Sequence, residues 1–491
     1  MRPGLLFVDS QVETLLQPAR GRGFSVLLLL TLACLAGWLI ARIQTHLYGT
    51  EALLAIMVGC LCLGPLVVRT LQGRFDVFEP LTIICAVYFL YFSFAPLVRI
   101  TMNDFSFVER TFETLYLHGL LVISIPVLAT WVGYALPWGR RIGERFASPV
   151  RLEAEGLRVL RRCGWGLSFA AVGGLALWAA VANIHWTRFL LPGIVTQVPQ
   201  GGAEGPGQDI AWFFLALEWF IPAFLMLSVS GGFRSRAARW GYWLGVFVVY
   251  LSMTFRYRLL IFIISAFILG YLRRGRRPSL LLLAGGASVI FVLAGWLSLM
   301  RVYFGSYGQM GTMDLSMEKI LVSGLADTRI FDTFMAVTYA VPRFIDYVFL
   351  DPFLYVFILP IPRALWPAKP EPEWIRSVGP ILGTPGAVSA GAAVPHFGEY
   401  YMAFGWPGVV VGMIVFGVLT RALWAWFQSD PKDPARQVVY AICNIWLLQV
   451  IIRGYLAQIV KEFFFFLVPV ILAMWAARRA QMRAAAAASN A

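Results

Sequence analysis

Apolar runs of membrane-spanning length recur along almost the whole chain, and they limit its fold more than any other feature. A helix of about 20 consecutive apolar residues crosses the hydrocarbon core of a bilayer. Of the 491 residues, 59% are hydrophobic and 13% are charged, whereas roughly a quarter of the residues in a soluble domain are charged. The sequence therefore predicts an all-α polytopic membrane protein.

The lengths of the apolar runs and the charges between them predict about twelve transmembrane helices. These begin near residues 24, 51, 79, 114, 164, 210, 240, 259, 279, 400, 437 and 462. The connection between the ninth and the tenth is much longer than the others. We therefore divide the chain into an N-terminal transmembrane bundle (1–299), an extracytoplasmic loop with interfacial or re-entrant segments (300–395), and C-terminal transmembrane helices (396–491).

Arginine-rich connections predict the orientation of these spans. Residues 137–163, 234–239, 273–277 and 478–483 are rich in arginine and fall on the same side of the predicted bundle. Because Lys and Arg mark cytoplasmic connections, both termini are expected in the cytoplasm and residues 300–395 on the opposite side. The formal net charge of +14 is largely explained in this way, and it gives no reason to expect a nucleic-acid partner.

A second set of basic residues lies on the extracytoplasmic side of this topology. Arg256 and Arg258 stand between two short apolar segments, at or slightly inside the membrane surface, where a charge is costly unless it has a partner. One partner would be a diphosphate, which arginine binds through forked, charge-assisted hydrogen bonds. The alternative is that each arginine pairs with an acidic side chain or extends to lipid headgroups. The predicted diphosphate contacts are Arg256, Arg258, Arg301 and Arg453.

The segment Pro395–Phe427 carries the candidate catalytic residues. It has no charge from Tyr400 to Thr420, which predicts a membrane-spanning helix beginning near Pro395. On such a helix His396, Glu399 and Tyr400 share one face at one mouth of the bilayer. His396 or Glu399 could act as a general base. Alternatively, Glu399 is a favourable charge in the first turn, and His396 is an interfacial aromatic residue.

Three segments resemble the bacterial O-antigen and oligosaccharide-repeat-unit polymerases of the Wzy type. Phe397–Arg421 is similar to the late Gly-Glu-Tyr and Phe-Gly-x-x-Gly signature of that family. Ile361–Pro372 resembles its Pro-Arg, Trp-Pro and Lys-Pro element, and Thr254–Phe262 resembles its arginine-containing turn. The long late loop and the basic outer mouth fit the same family.

This resemblance implies a GT-C-like bundle in the bacterial inner membrane with a periplasmic active site. The implied reaction is inverting transfer of a glycan from one polyprenyl diphosphate to another lipid-linked repeat unit, for O-antigen or exopolysaccharide assembly. Fixed positive charge would stabilise the departing diphosphate. No cofactor and no metal is expected, and a separate chain-length regulator is an expected partner. The implied contacts of the lid with glycan or phosphate are Tyr400, Arg363 and Lys369.

Three other functions compete with this one. An O-antigen ligase would use the same donor with a different acceptor, and the Glu-Tyr pair at residues 399–400 favours the polymerase. A transporter or flippase would suit twelve spans, but the sequence shows no internal repeat and no clear pair of broken spans. A lipid-monophosphate-dependent glycosyltransferase would place an acid in the first outer loop, where this chain has only Glu51.

Overall fold

The computed structural model shows a protein built mainly from long helices. The structure describes residues 49–107, 110–111, 113–146, 151–181, 215–252, 256–305, 316–326, 329–361, 365–372, 374 and 394–489. Apart from one two-residue antiparallel pair, Ser106–Phe107 with Arg110–Thr111, the regular structure in these ranges is helical. The expected all-α polytopic class is confirmed at this level.

The helices are numbered here in chain order. They are α1 (Gly49–Leu71), α2 (Pro80–Met102), α3 (Leu115–Ala135), α4 (Pro137–Arg145), α5 (Ala154–Val181), α6 (Ala216–Val229), α7 (Arg236–Ser252), α8 (Arg256–Arg274), α9 (Leu280–Gly305), α10 (Met317–Ala326), α11 (Ile330–Ala340), α12 (Asp351–Ile358), α13 (His396–Gln428), α14 (Pro434–Ile452) and α15 (Leu456–Ser489).

Eight of the described helices are long and apolar enough to cross a membrane. They are α1, α2, α3, α5, α9, α13, α14 and α15. The spans expected near residues 210, 240 and 259 correspond to α6, α7 and α8. α6 and α7 are shorter, and α8 has arginine near both ends. The span expected near residue 24 lies outside the described residues, so twelve spans stay a prediction.

Two hydrophobic cores meet at α14. The first packs α1, α2 and α3 against α11 and the beginning of α13. The second packs α5, α6, α7 and α8 against α15 and most of α14. α14 contributes to both and is the most buried of the eight long helices. The last turns of α14, from Leu447 to Ile452, are therefore held by both cores.

α13 is a helical hairpin, which corrects the prediction of a single span beginning at Pro395. A straight helix of 33 residues would be about 50 Å long, well beyond a hydrocarbon core of about 30 Å. The chain instead reverses at Phe404 and Gly405, where Gly405 has φ 64° and ψ −152°. Residues 396–403, the short arm, run back along residues 406–428, the long arm.

Ring contacts establish this antiparallel register. The ring of His396 lies 4.8 Å from that of Phe416, and a Cβ built on Gly412 would overlap the ring of Tyr400. His396 therefore lies beside a residue about three turns along the long arm. The predicted triplet is not at the mouth of a straight span but on a re-entrant segment. Such backbone breaks are tolerated at membrane depth only where protein or a water-filled cavity surrounds them.

Part of the segment predicted as a loop (300–395) is packed inside the helical bundle. Almost every residue of α11 is buried. Arg99 of α2 and Asp332 of α11 form a buried ion pair, and the Tyr116 hydroxyl donates to the same carboxylate over 3.4 Å. Phe334 of α11 packs edge-to-face on Phe397 of the short arm. α11 thus supports the short arm from one side.

At the opposite end of the bundle, here called the basic end, a buried carboxylate joins four helices. Glu79 precedes α2, and its Oε1 accepts from the Tyr134 hydroxyl over 2.7 Å. Arg69 of α1 and Arg421 of the long arm pair with the same oxygen at 3.3 and 3.5 Å. Burial raises the pKa of the Glu79 carboxyl above its ordinary value, although these partners oppose the shift.

Candidate functional site

The break between α14 and α15 lies directly against the beginning of the short arm. α14 ends at Ile452 and α15 begins at Leu456. The backbone N–H of Gly454, between them, donates to the carbonyl of Val394. A Cβ built on Gly454 would overlap the backbone of Pro395. Glycine is required here because two non-helical segments cross in backbone contact.

Glu399 caps the first turn of α15. Its Oε2 accepts from the backbone N–H of Leu456 over 2.6 Å, and its Oε1 accepts from the indole N–H of Trp374 over 3.2 Å. The side chain is buried. A carboxylate at a helix N-terminus satisfies a backbone donor and complements the helix dipole. This geometry gives Glu399 a structural function whether or not it also accepts a proton during a reaction.

His396 and Tyr400 share a face of the short arm, as their spacing predicts. Their rings meet edge-to-face at 5.7 Å. The imidazole of His396 is buried beside the backbone of Ile451, but neither ring nitrogen makes a hydrogen bond of acceptable geometry with the described residues. The ring of Tyr400 stacks on Phe353, close to α12. His396 is thus placed against aromatic rings rather than at an open surface.

Arg453 and Arg258 lie on the same aromatic ring. The guanidinium carbon of Arg453 is 4.7 Å from the centroid of Tyr257, and that of Arg258 is 5.4 Å from it. Arg453 is partly exposed, and no ion pair involves it within the described ranges. Arg453 also precedes Gly454, which contacts Pro395. Two of the predicted diphosphate contacts are therefore brought together, next to the short arm.

Arg258 has a carboxylate partner of its own. Its guanidinium pairs with Glu218 of α6, and both side chains are buried. Pairing with an acidic side chain, rather than with a diphosphate, is the alternative that the sequence left open for Arg258. Sequence reasoning did not single out Glu218. Glu218 is an acidic residue within the apolar run that forms α6. A charge in such a run is rare without a function or a partner, and this was the signal that could have identified it.

Further charges from α15 surround this ion pair. Lys461 and Glu462 lie close enough to Glu218 and Arg258 to interact with them electrostatically. Glu462 is buried, and its Oε1 accepts from the amide of Gln458 over 2.8 Å. Cations and carboxylates thus alternate through a buried cluster. Such clusters at membrane depth are costly and are commonly associated with function.

Two described parts of the segment 300–395, around Tyr355 and Trp374, cover the site. The rings of Tyr355 and Trp374 meet edge-to-face at 5.5 Å, and Tyr355 also stacks on Tyr455 in the break after α14. Because Trp374 donates to Glu399, this segment contacts a candidate catalytic residue directly. The ammonium group of Lys369 donates to the carbonyls of Leu359 and Ile361 over 2.8 and 2.9 Å.

The predicted site residues fall into four groups. Glu399, His396, Tyr400, Arg453 and Arg258 come together around the short arm and the break after α14. Lys369 stabilises the end of α12. Arg363 lies outside the described residues. The backbones of Arg256 and Arg301 are described in α8 and α9, but their side chains are not.

Comparison with known proteins adds no further constraint on this site. The chain matches no protein-family model, no curated protein and no solved structure. The described residues contain no group of three or more His, Cys, Asp or Glu side chains placed to hold a metal ion.

Proposed function

We propose that this chain is a membrane glycosyltransferase that polymerises polyprenyl-diphosphate-linked oligosaccharides. The observation that carries the proposal is the position of Arg453. This cation is partly exposed, lies on Tyr257, and adjoins the backbone contact between Gly454 and Pro395. It therefore stands next to the short arm that holds His396 and Glu399. A departing diphosphate requires fixed positive charge of this kind.

In the proposed reaction a hydroxyl oxygen of the acceptor glycan attacks the anomeric carbon of the donor. The bond from that carbon to the diphosphate oxygen breaks, with inversion, and polyprenyl diphosphate leaves. The hydroxyl proton passes to a general base, for which Glu399 and His396 are the candidates. Arg453 binds the diphosphate. Arg258, already paired with Glu218, holds Tyr257 and contributes to the local field.

The segment containing Trp374 and Tyr355 supports a second element of the proposal. It lies over Glu399 and the break after α14. Segments that cover a site exclude water and position the reacting groups. Water is an alternative acceptor that would hydrolyse the donor, so a covering segment suits glycan transfer.

The test is chain extension by the purified protein in detergent, supplied with a polyprenyl-diphosphate oligosaccharide. The wild type should give a ladder of products, and R453A should give none. R453K should retain a small part of the activity, because an ammonium group keeps the charge but not the forked hydrogen bonds. Arg479 offers a matched control, since it also lies on an aromatic ring, Trp475, but at the other end of α15. R479A should extend chains normally, and a normal ladder from R453A would overturn the proposal.

A transporter of the same lipid-linked glycans is the second candidate. The short arm and the break after α14 are interrupted helices in contact, and interrupted helices form the binding sites of many transporters. Proteoliposomes containing one labelled glycan lipid distinguish the two. A transporter would move the label across the bilayer without forming new glycosidic bonds, whereas the polymerase would form those bonds.

A further inference from the structure

Helix α4 is held at the basic end of the bundle by close contact with the long arm. Gly139 and Gly143 occupy one face of α4. A Cβ built on Gly139 would lie 2.7 Å from the Cβ of Arg421, and one built on Gly143 would overlap the carbonyl of Ala422. These contacts fix the rotation of α4 about its axis, so its other faces have defined directions.

An apolar stripe on α4 points away from the protein. Trp138, Ile142 and Phe146 recur at intervals of four residues and are 58%, 37% and 73% exposed. α4 follows α3 after one residue, and α3 is long and apolar enough to cross a membrane. An exposed stripe that contains aromatic residues, at the end of a span, is typical of a helix lying in the membrane interface.

Two arginines border this stripe. Arg141 and Arg145 are exposed, lie one turn apart, and form no ion pair with any residue that the structure describes. Arg140, on the other side of the helix, pairs with Glu144, with Nε 2.7 Å from Oε1. The face next to the apolar stripe thus has positive charge available for a ligand, and the face of Arg140 does not.

We propose that α4 binds the phosphate of an anionic phospholipid between Arg141 and Arg145. Trp138, Ile142 and Phe146 insert among the acyl chains of the same leaflet, and the two guanidinium groups remain at the level of the headgroups. The charge of the arginine pair selects an anionic lipid over a zwitterionic one. This interaction does not depend on the proposed glycan transfer, because α4 contacts the long arm at Arg421 and Ala422, whereas the short arm contacts it at Gly412 and Phe416.

The interaction also stabilises the fold, since α4 is packed against the long arm. A ligand that binds only the folded protein raises its stability in proportion to the logarithm of ligand concentration over the dissociation constant. Phosphatidylglycerol should therefore raise the unfolding temperature of the full-length protein in detergent more than phosphatidylcholine does. High salt should reduce this difference, since it screens exposed charges.

The test compares lipid binding by three forms of the full-length protein, using native mass spectrometry and thermal unfolding with each lipid. R141Q/R145Q removes the proposed phosphate contacts. R274Q/R276Q is the matched control, because it removes two exposed arginines at the same end of the bundle. Each basic residue near an anionic surface contributes about 1 kcal/mol. We therefore expect R141Q/R145Q to bind phosphatidylglycerol more weakly by roughly tenfold or more, with phosphatidylcholine binding unchanged.

Two outcomes would overturn the proposal. The first is an equal loss of phosphatidylglycerol binding in both double variants, which would mean general charge attraction. The second is wild-type binding by R141Q/R145Q. A further variant, W138A, tests the apolar stripe, and it should weaken binding of both lipids. Because these substitutions are on exposed residues, the folded state should be retained, which thermal unfolding without added lipid verifies.

Discussion

The backbone N–H of Leu456 donates to Oε2 of Glu399 over 2.6 Å. This bond joins the first turn of α15 to the re-entrant short arm of α13, two segments that are 57 residues apart in sequence. It also gives a partner to a backbone donor in the first turn of α15, where the helix itself supplies none.

The two hydrogen bonds of Glu399 predict a specific double-mutant cycle. In E399Q the amide oxygen can still accept from Leu456, but the amide N–H₂ then faces the indole N–H of Trp374. We expect E399Q to lose about 1.5–3 kcal/mol of unfolding free energy, the contribution of a hydrogen bond to a charged group. In the W374F background the same change should cost less. Chemical unfolding of the four forms in detergent measures this coupling.

The same cycle separates the structural function of Glu399 from catalysis. If Glu399 is the base, E399Q/W374F should remain inactive in chain extension although its stability is largely recovered. If His396 is the base, activity should return with stability, and H396A should be inactive in either background. Additive losses of stability in the four forms would contradict the hydrogen-bond arrangement itself.

The buried pair between Arg258 and Glu218 predicts that either single substitution is severe. Removing one partner leaves an uncompensated buried charge and typically costs about 3–5 kcal/mol. R258M and E218L should therefore each reduce the amount of folded protein in the membrane. R258M/E218L should restore it, because an apolar pair can replace a buried ion pair. Fluorescence-detected size-exclusion chromatography checks all three.

Measuring chain extension by R258M/E218L then tests whether Arg258 also takes part in the reaction. A folded but inactive double variant would assign Arg258 a function in the reaction beyond its pairing with Glu218. A folded and active double variant would show that Arg258 has a structural function only. Arg453 would then be the remaining described cation on the Tyr257 ring. Failure of the double variant to fold better than the single ones would contradict the ion pair.

The reversal in α13 predicts that Gly405 tolerates no side chain. Its φ of 64° and ψ of −152° are accessible almost only to glycine and cost other residues of order 1–3 kcal/mol. An added Cβ would also lie 3.1 Å from the Tyr347 hydroxyl. G405A should lower the unfolding temperature and chain extension together. Gly173 in α5 is a matched control with no atom near its Cβ position, and G173A should be neutral or slightly stabilising.

The buried carboxyl of Glu79 predicts a pH-dependent stability. Its pKa is raised in the folded protein, mainly by burial. The folded state therefore binds more protons than the unfolded state, and this contribution to stability is present below the ordinary pKa and is lost as the pH rises through the folded value. E79Q keeps a neutral group throughout. The unfolding temperature of E79Q relative to the wild type should therefore rise as the pH increases above the ordinary glutamate pKa of about 4.3.

E144Q is the control for the pH experiment, because Glu144 is exposed. Its unfolding temperature should follow that of the wild type at every pH. A difference between E79Q and the wild type that stays constant, or falls as the pH rises, would contradict the raised pKa. E79Q also retains an acceptor for the Tyr134 hydroxyl, which limits the loss of structure.

The sequence predicted the local geometry around His396 and Tyr400 but not the distant partners of Arg258 and Glu399. Short spacings placed His396 and Tyr400 on one face, and their rings do meet. Glu218 and Trp374, by contrast, reach their partners Arg258 and Glu399 from distant parts of the chain. No local pattern encodes such pairs. The single acid within α6 signalled that a partner exists, without identifying it.

The amino-acid sequence alone determined that this is an all-α, multi-pass membrane protein, because the length of an apolar run and the absence of charge within it decide whether a helix can cross a bilayer. It also determined where most of the long helices begin. Only the tertiary structure decided that the uncharged run after Tyr400 folds back on itself. That reversal depends on packing of the short arm against the long arm, α11 and the break after α14, and hydrophobicity is identical for a straight helix and for a hairpin buried among other helices.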